Sequence, residues 1–335
     1  MSTTIVPVTG NATDTGRERS ENQDYFGFYE DTPYGMLWVV CDGMGGAAGG
    51  RTASVMAVDC IRDVFHQEGI ETVPDVMRAA VKSANATVYQ RAQEDRSLRG
   101  MGTTVAMLVL RDGLFYLGHI GDSRIYRVED MQIAQITRDH TLVQDMIEQG
   151  LISPDNAHNH PKSHVITRSL GVEPEIDIEI DPSPIEIAIG DCFVICSDGL
   201  SGFVSPEVIQ DHVVTLDPQD ACVRLIDIAN DNGGPDNITL QVIKVIERDD
   251  SNVSNHEASM GQNRLALVKK ILLLGAVIAA IGLVIVGIWL WRYHNNEEIE
   301  VSSANLEITQ ELSEAKGDAE EDSTSQTDSS IQKPE

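Results

Sequence analysis

Residues 36–46 read MLWVVCDGMGG, an apolar run that stops at Asp42 and passes into a glycine-rich turn. The pattern returns at Asp122 in HIGDSRIY (119–126), at Asp198 in CFVICSDGL (192–200) and at Asp236 in GGPDNITL (233–240). Asp24 closes a further NQD at 22–24. One aspartate after a strand is ordinarily a turn residue. Four strand ends of this kind make a set. A rigid strand aims its terminal carboxylate into a cleft, and small neighbours let a carbonyl or a water approach. Carboxylates, carbonyls and waters that converge are the ligands of hard divalent cations.

Working outward, segments rich in Val, Ile, Phe and Tyr recur at 23–29, 35–41, 103–110, 113–120, 123–128, 132–136, 176–180, 192–197 and 238–246. Gly, Asp and Pro turns separate them, as expected of strands. Helical periodicity covers 52–66, with Ala53, Ala57, Cys60 and Val64 on one face, and 74–95, with Met77, Ala80, Ala84 and Val88 on one face. A third helix is expected over 218–231. Strands that follow one another across short turns predict antiparallel sheets with helices packed outside, an α+β fold. Residues 139–171 read as a helix and then a long irregular excursion carrying His158, His160 and His164, the kind of loop that often serves as a functional flap.

The chain has 335 residues, 41% of them hydrophobic, and a net charge of −29. Residues 1–247 hold 38 acidic against 17 basic side chains, a field that repels a phosphate backbone, so nucleic acid is excluded as a partner. An anionic substrate is hindered by the same field unless cations sit in the site. The five cysteines, Cys41, Cys60, Cys192, Cys196 and Cys222, are odd in number and fit reduced thiols of a cytosolic domain. None is followed six positions on by Arg, so the thiolate phosphate loop of cysteine-dependent phosphatases is missing.

From Ile271 to Trp291 no residue is charged, and at 1.5 Å per residue a helix over this run reaches about 30 Å, a bilayer core. Arg264, Lys269 and Lys270 precede the run and Arg292 follows it, which puts the N-terminal side in the cytoplasm. The polar start MSTTIVPVTG has no signal-peptide character. The expected organisation is a catalytic domain over 1–247, a polar linker and basic juxtamembrane segment over 248–270, a transmembrane helix over 271–291, and an acidic disordered tail over 292–335. Gly275, Ala279 and Gly282 share one face of that helix, a small-residue pattern that suits weak homodimerisation.

Taken together, these motifs resemble the type 2C, metal-dependent protein serine/threonine phosphatases, in particular their bacterial branch. The resemblance runs from about residue 5 to about 246. It includes RSENQD at 19–24, DGMGG at 42–46, GTT at 102–104, GDSRIY at 121–126, VITRSLG at 165–171, SDGL at 197–200 and DNIT at 236–239. It implies a four-layer α-β-β-α sandwich and a site for two Mn²⁺ or Mg²⁺ ions, with a third position. By resemblance Asp42 bridges two ions, Asp198 and Asp236 complete one, and the Gly43 carbonyl serves the other, whose waters Asp24 holds. Asp122 with Asp198 matches the third position, and Arg19 matches the arginine that grips the substrate phosphate.

The implied reaction is attack of a hydroxide made between the cations on a phosphoserine or phosphothreonine, with no covalent phosphoenzyme. Phosphorylated proteins are the implied substrates and a serine/threonine kinase the functional opposite. Two positions depart from the pattern: Ala47 stands where relatives usually carry His, and Arg51 where they usually carry Glu. Ala47 leaves the general acid open, with a flap histidine, His160 by its context, as one candidate. Two rival functions also stay open here, an inert phosphoprotein-binding membrane adaptor and a two-metal nuclease or small-molecule phosphatase.

Overall fold

The computed structural model describes residues 3–157, 160–176, 178–181, 183–249 and 286–287. Met1–Asp250 forms one compact unit and Ser251–Glu335 a second. In chain order the first unit runs β1 (Thr3–Asp14), β2 (Tyr25–Thr32), β3 (Gly35–Cys41), β4 (Gly43–Met44), α1 (Gly46–Phe65), α2 (Val73–Glu94), β5 (Gly102–Thr103), β6 (Val105–Arg111), β7 (Leu114–Ile120), β8 (Arg124–Glu129) and β9 (Gln132–Gln135). It continues with α3 (Leu142–Glu148), α4 (Pro154–Ala157), β10 (Glu179–Ile180), β11 (Ile185–Glu186), β12 (Cys192–Cys196), α5 (Asp198–Ser201), α6 (Pro206–Thr215), α7 (Pro218–Asp231) and β13 (Ile238–Asp249).

Two large antiparallel sheets result, beside a separate two-stranded pair of β4 and β5. One has the order β1-β13-β12-β8-β9, the other β10-β7-β6-β3-β2 with β11 also on β7. Inner strands such as β3 and β12 are apolar on both faces, and the period of two sorts their side chains into layers. In β3, Leu37, Val39 and Cys41 pack with the α1 and α2 residues Ala57, Ile61 and Val81, whereas Trp38 and Val40 enter the core between the sheets. In β12, Cys192, Val194 and Cys196 face the α6 and α7 residues Ile209, Val213 and Leu225, whereas Phe193 and Ile195 join Trp38. Phe115 sits 4.5 Å from Phe193 and 5.7 Å from Trp38, ring centroid to ring centroid, so aromatic contacts bind sheet to sheet. The layers are therefore helix, sheet, sheet, helix.

β1, β11 and α6 are among the elements that go beyond the expectations from sequence. β1 is a twelve-residue strand whose Pro7 and Gly10 weaken the strand signal, and it occupies a sheet edge, where proline is tolerated. β11 is two residues long, and α6 opens with Pro206 at its first position. Helix α1 also starts earlier than the expected 52, at Gly46, because the glycine turn leads straight into it. Among the described residues no helix is long and apolar enough to cross a membrane. The expected span 271–291 lies outside those residues except for Val286 and Gly287, as do the tail 292–335 and the linker beyond Asp249.

Candidate metal centre

Antiparallel pairing gathers the aspartates. The register sets Tyr25 against Cys41, Val105 against Ile120, and Cys196 against both Arg124 and Leu240. The end of β3, the turn from β7 to β8, the end of β12 and the start of β13 and of β2 thus all fall at one end of the sandwich. Arg19, Asp42, Gly43, Asp122, Asp198 and Asp236 line a single cavity of about 690 Å³ there. Asp24 is 1% exposed, and its carboxylate bonds the Ser197 hydroxyl next to Asp198. All seven residues singled out from sequence come together.

Backbone ties hold the set. The Asp42 N–H donates to Thr104 Oγ1 at 2.9 Å, and the Asp42 carbonyl accepts from the Thr104 N–H at 2.9 Å and the Thr103 hydroxyl at 2.7 Å. Thr104 Oγ1 also lies 2.7 Å from Ser123 Oγ, linking the Asp42 turn to the residue after Asp122. Gly43 has no room for a side chain, since a Cβ would meet the Gly50 carbonyl oxygen at 2.2 Å and that of Gln23 at 2.5 Å. Ser197 donates from Oγ to Asp24 Oδ2 at 2.8 Å and accepts from the Thr239 N–H at 3.0 Å. Asn237 donates to the carbonyls of Thr15 and Glu21 and accepts from the Gln23 N–H, which pins the loop carrying Arg19 and Asp24 beside Asp236.

The electrostatics identify what the cavity is suited to hold. Burial, and then the charges of Asp24, Asp198, Asp122 and Asp236, push the Asp42 carboxyl far above the usual carboxylate range. Burial lifts Asp24 to about 7, against the lowering effect of the Ser197 hydroxyl. Asp122 is lifted to about 8 by burial and by Asp198, and Asp198 is raised by burial and by Asp236. Asp24 Oδ1, Asp122 Oδ1 and Asp198 Oδ1 are buried without a protein partner. Buried carboxylates need a counter-charge, a proton or a donor. Among the described residues, the cation bonded to the set is Arg19, whose Nη2 lies 2.8 Å from Asp236 Oδ2 at the half-exposed rim. A group of oxygen donors in excess of protein counter-charge fits hard divalent cations.

Two substituted positions and the histidines resolve differently. Ala47 lies in the first turn of α1. Arg51 donates to the Asp24 carbonyl at 2.7 Å and covers the Tyr25 ring at 4.9 Å, so it braces the Asp24 loop. His164, and not His160, lines the cavity; His160 Nδ1 accepts from the Lys162 N–H in an exposed turn. His158 lies outside the described residues. The hydroxyls Thr103, Thr104, Ser197 and Thr239 lie within the motifs GTT, SDGL and DNIT, but the sequence alone assigned them no role.

Comparison with known proteins agrees with this geometry. A family described as protein phosphatase 2C matches residues 15–225. The protein phosphatase PhpP of Streptococcus pneumoniae is 35% identical over 241 residues, covering 71% of this chain and 97% of PhpP. The serine/threonine phosphatase stp of Listeria monocytogenes is 34% identical over 245 residues, covering 71% and 94%. Among solved structures, the catalytic domain of the serine/threonine protein phosphatase PstP in complex with two manganese ions superposes with a TM-score of 0.64 at 32% identity, covering 72% of this chain and all of that one.

The raised carboxyls set a pH dependence. Between the ordinary carboxylate range and values of about 7 and about 8, the folded chain keeps protons that the unfolded chain has released. Stability without metal must then fall as pH rises through that window. In EDTA, the Tm of residues 1–250 is expected to drop from about pH 5.5 to about pH 8. Saturating Mn²⁺ should abolish the drop, and Asp42→Asn should raise the Tm in EDTA at the upper end. Calorimetric scans that show Tm climbing with pH in EDTA would contradict this account.

Proposed function

The chain belongs to the protein phosphatase 2C family and is a protein serine/threonine phosphatase, and from that premise we infer a role for each residue of the cavity. Asp42, Asp198, Asp236 and the Gly43 carbonyl would hold two divalent cations, Mn²⁺ or Mg²⁺, with Asp42 serving both. Asp24 would support that set from behind, and Asp122 with Asp198 would serve a third position. Bound there, the cations supply the positive charge that receives a phosphate dianion and the acidity that activates a water. The observation that carries this reading is the group of buried carboxylate oxygens on Asp24, Asp122 and Asp198 with no protein partner.

Arg19 suits the phosphate because a guanidinium fork takes two of its oxygens and fixes its orientation. It reaches the cavity rim from a loop held at Asn237, and it is half exposed, so an incoming anion can engage it. Hydrolysis forms a bond from water oxygen to phosphorus and breaks the bond from phosphorus to the seryl or threonyl oxygen, which leaves with a proton. With Ala47 in the position where relatives usually have histidine, His164 on the cavity wall is the histidine in place to supply that proton. The intact carboxylate set weighs against an inert adaptor, and the acidic field against a nuclease.

Residues 271–291 support a membrane-spanning helix with the phosphatase unit on the cytoplasmic side. Membrane-bound kinases and their juxtamembrane targets become the favoured partners, and Gly275, Ala279 and Gly282 support weak pairing of two such helices.

Residues 1–250 should hydrolyse a phosphoserine peptide with Mn²⁺ and stop in EDTA; turnover that persists in metal-free buffer refutes the metal reading. Arg19→Ala should lower kcat/KM roughly 10- to 100-fold, the worth of a charge-assisted hydrogen bond, and Arg19→Lys should recover part of it. For the topology, protease added to cells stripped of any outer envelope should remove an epitope placed after Asn295 and spare one at the N-terminus. The opposite pattern would refute the orientation.

A further inference from the structure

His140 grips from behind the β7–β8 turn that carries Asp122. His140 is 3% exposed and bonds Gly121 twice: its backbone N–H donates to the Gly121 carbonyl at 2.9 Å, and its Nδ1 accepts from the Gly121 N–H at 3.1 Å. These two groups belong to the peptide planes on either side of Gly121, one of which leads directly into Asp122. Gly121 has φ +105, and a Cβ there would meet Thr104 Cγ2 at 2.5 Å, so the turn tolerates only glycine and depends on outside bonds for its orientation. The ring of His140 is fixed in turn by Glu179 of β10, whose Oε2 lies 2.9 Å from Nε2. His119 stacks on that ring at 4.7 Å and anchors its own Nε2 on the Arg138 carbonyl at 2.6 Å. The His140 carbonyl also accepts from the Thr167 N–H at 2.8 Å, in the same segment as the cavity residues His164 and Ile166.

His119, His140 and Glu179 each bring a ligand-type atom within 4.8 Å of the others, a composition that suits a transition metal. The hydrogen bonds decide against that use. Because Nδ1 of His140 accepts from an amide N–H, the ring proton sits on Nε2 and is donated to Glu179. A metal at Nε2 would force the proton onto Nδ1, where it would face the Gly121 N–H. The three side chains form a hydrogen-bonded support instead. The arrangement has the form of a metal ligand's outer partners, which set the direction of the ligand.

We propose that His140, oriented by Glu179, is the positioning residue that aims Asp122 at its cation. The proposal rests on the reading of Asp122 as a third-position ligand. The Glu179 side chain is 42% exposed, so its replacement removes the support without opening the core.

The test is calorimetric titration of the full-length chain with Mn²⁺ alone. Glu179→Ala should weaken the Asp122-dependent site by roughly threefold to tenfold, the worth of one hydrogen bond. Glu179→Gln, which keeps an acceptor for Nε2–H, should restore most of the affinity. In the double variant Glu179→Ala/Asp122→Ala, the loss should be no greater than in Asp122→Ala alone, since both act through one carboxylate. If Asp122→Ala loses a Mn²⁺ site while Glu179→Ala binds like the parent, or if the two losses add, the proposal falls and the third position stands. If Asp122→Ala keeps every Mn²⁺ site of the parent, the third position falls and takes the proposal with it.

Discussion

Like charges gathered in a poorly hydrated place are the constraint on which this structure turns. Two unit charges about 4 Å apart, at an effective dielectric of about 20, repel by about 4 kcal/mol. A domain is held together by only about 5–15 kcal/mol in all. Asp24, Asp42, Asp122 and Asp198 are nevertheless driven together, because each is fixed to the end of a strand and antiparallel registers bring those ends side by side. Without a counter-charge the carboxyls hold protons well above their usual range. Divalent cations held there would relieve the same repulsion and offer positive charge to a phosphate.

The scaffold bears the load through its layers. Trp38, Phe115 and Phe193 join the sheets between the strands that carry Asp42, Asp122 and Asp198, so the cavity stands on the ends of packed strands. Around it, hydroxyls and amides satisfy the backbone near each carboxylate while leaving carboxylate oxygens free. Thr104 serves Asp42 and reaches Ser123; Ser197 serves Asp24 and Thr239; Asn237 serves the loop of Arg19. Arg51 extends this support, since its guanidinium holds the Asp24 carbonyl from α1 without entering the carboxylate cluster.

Much of this was legible in the sequence, for a physical reason. Apolar strands that stop at Asp42 and Asp198, and one that starts just after Asp236, carry both signals at once, the strand period and the change between apolar and acidic, and β3, β12 and α7 appear close to where periodicity puts them. β1 was not legible, because Pro7 and Gly10 interrupt a strand that an edge position makes possible. Nor were Thr104, Ser197, His140 and Glu179. Their roles come from partners as much as 173 residues away, and no local pattern records such a partner. The choice between His160 and His164 shows the same limit, since the motif context favours one and the fold of the excursion turns the other toward the cavity.

Competition of protons and divalent cations for the same buried carboxylates is what joins the fold to its chemistry. Its most direct test is the number of protons released when Mn²⁺ binds, obtained at a pH near 6.5 by calorimetry in buffers of different ionisation enthalpy. Net proton release is expected on saturation, and a smaller release from Asp42→Asn. Tight Mn²⁺ binding with no release of protons would mean that the carboxyls are already ionised before the metal arrives, and would contradict this competition.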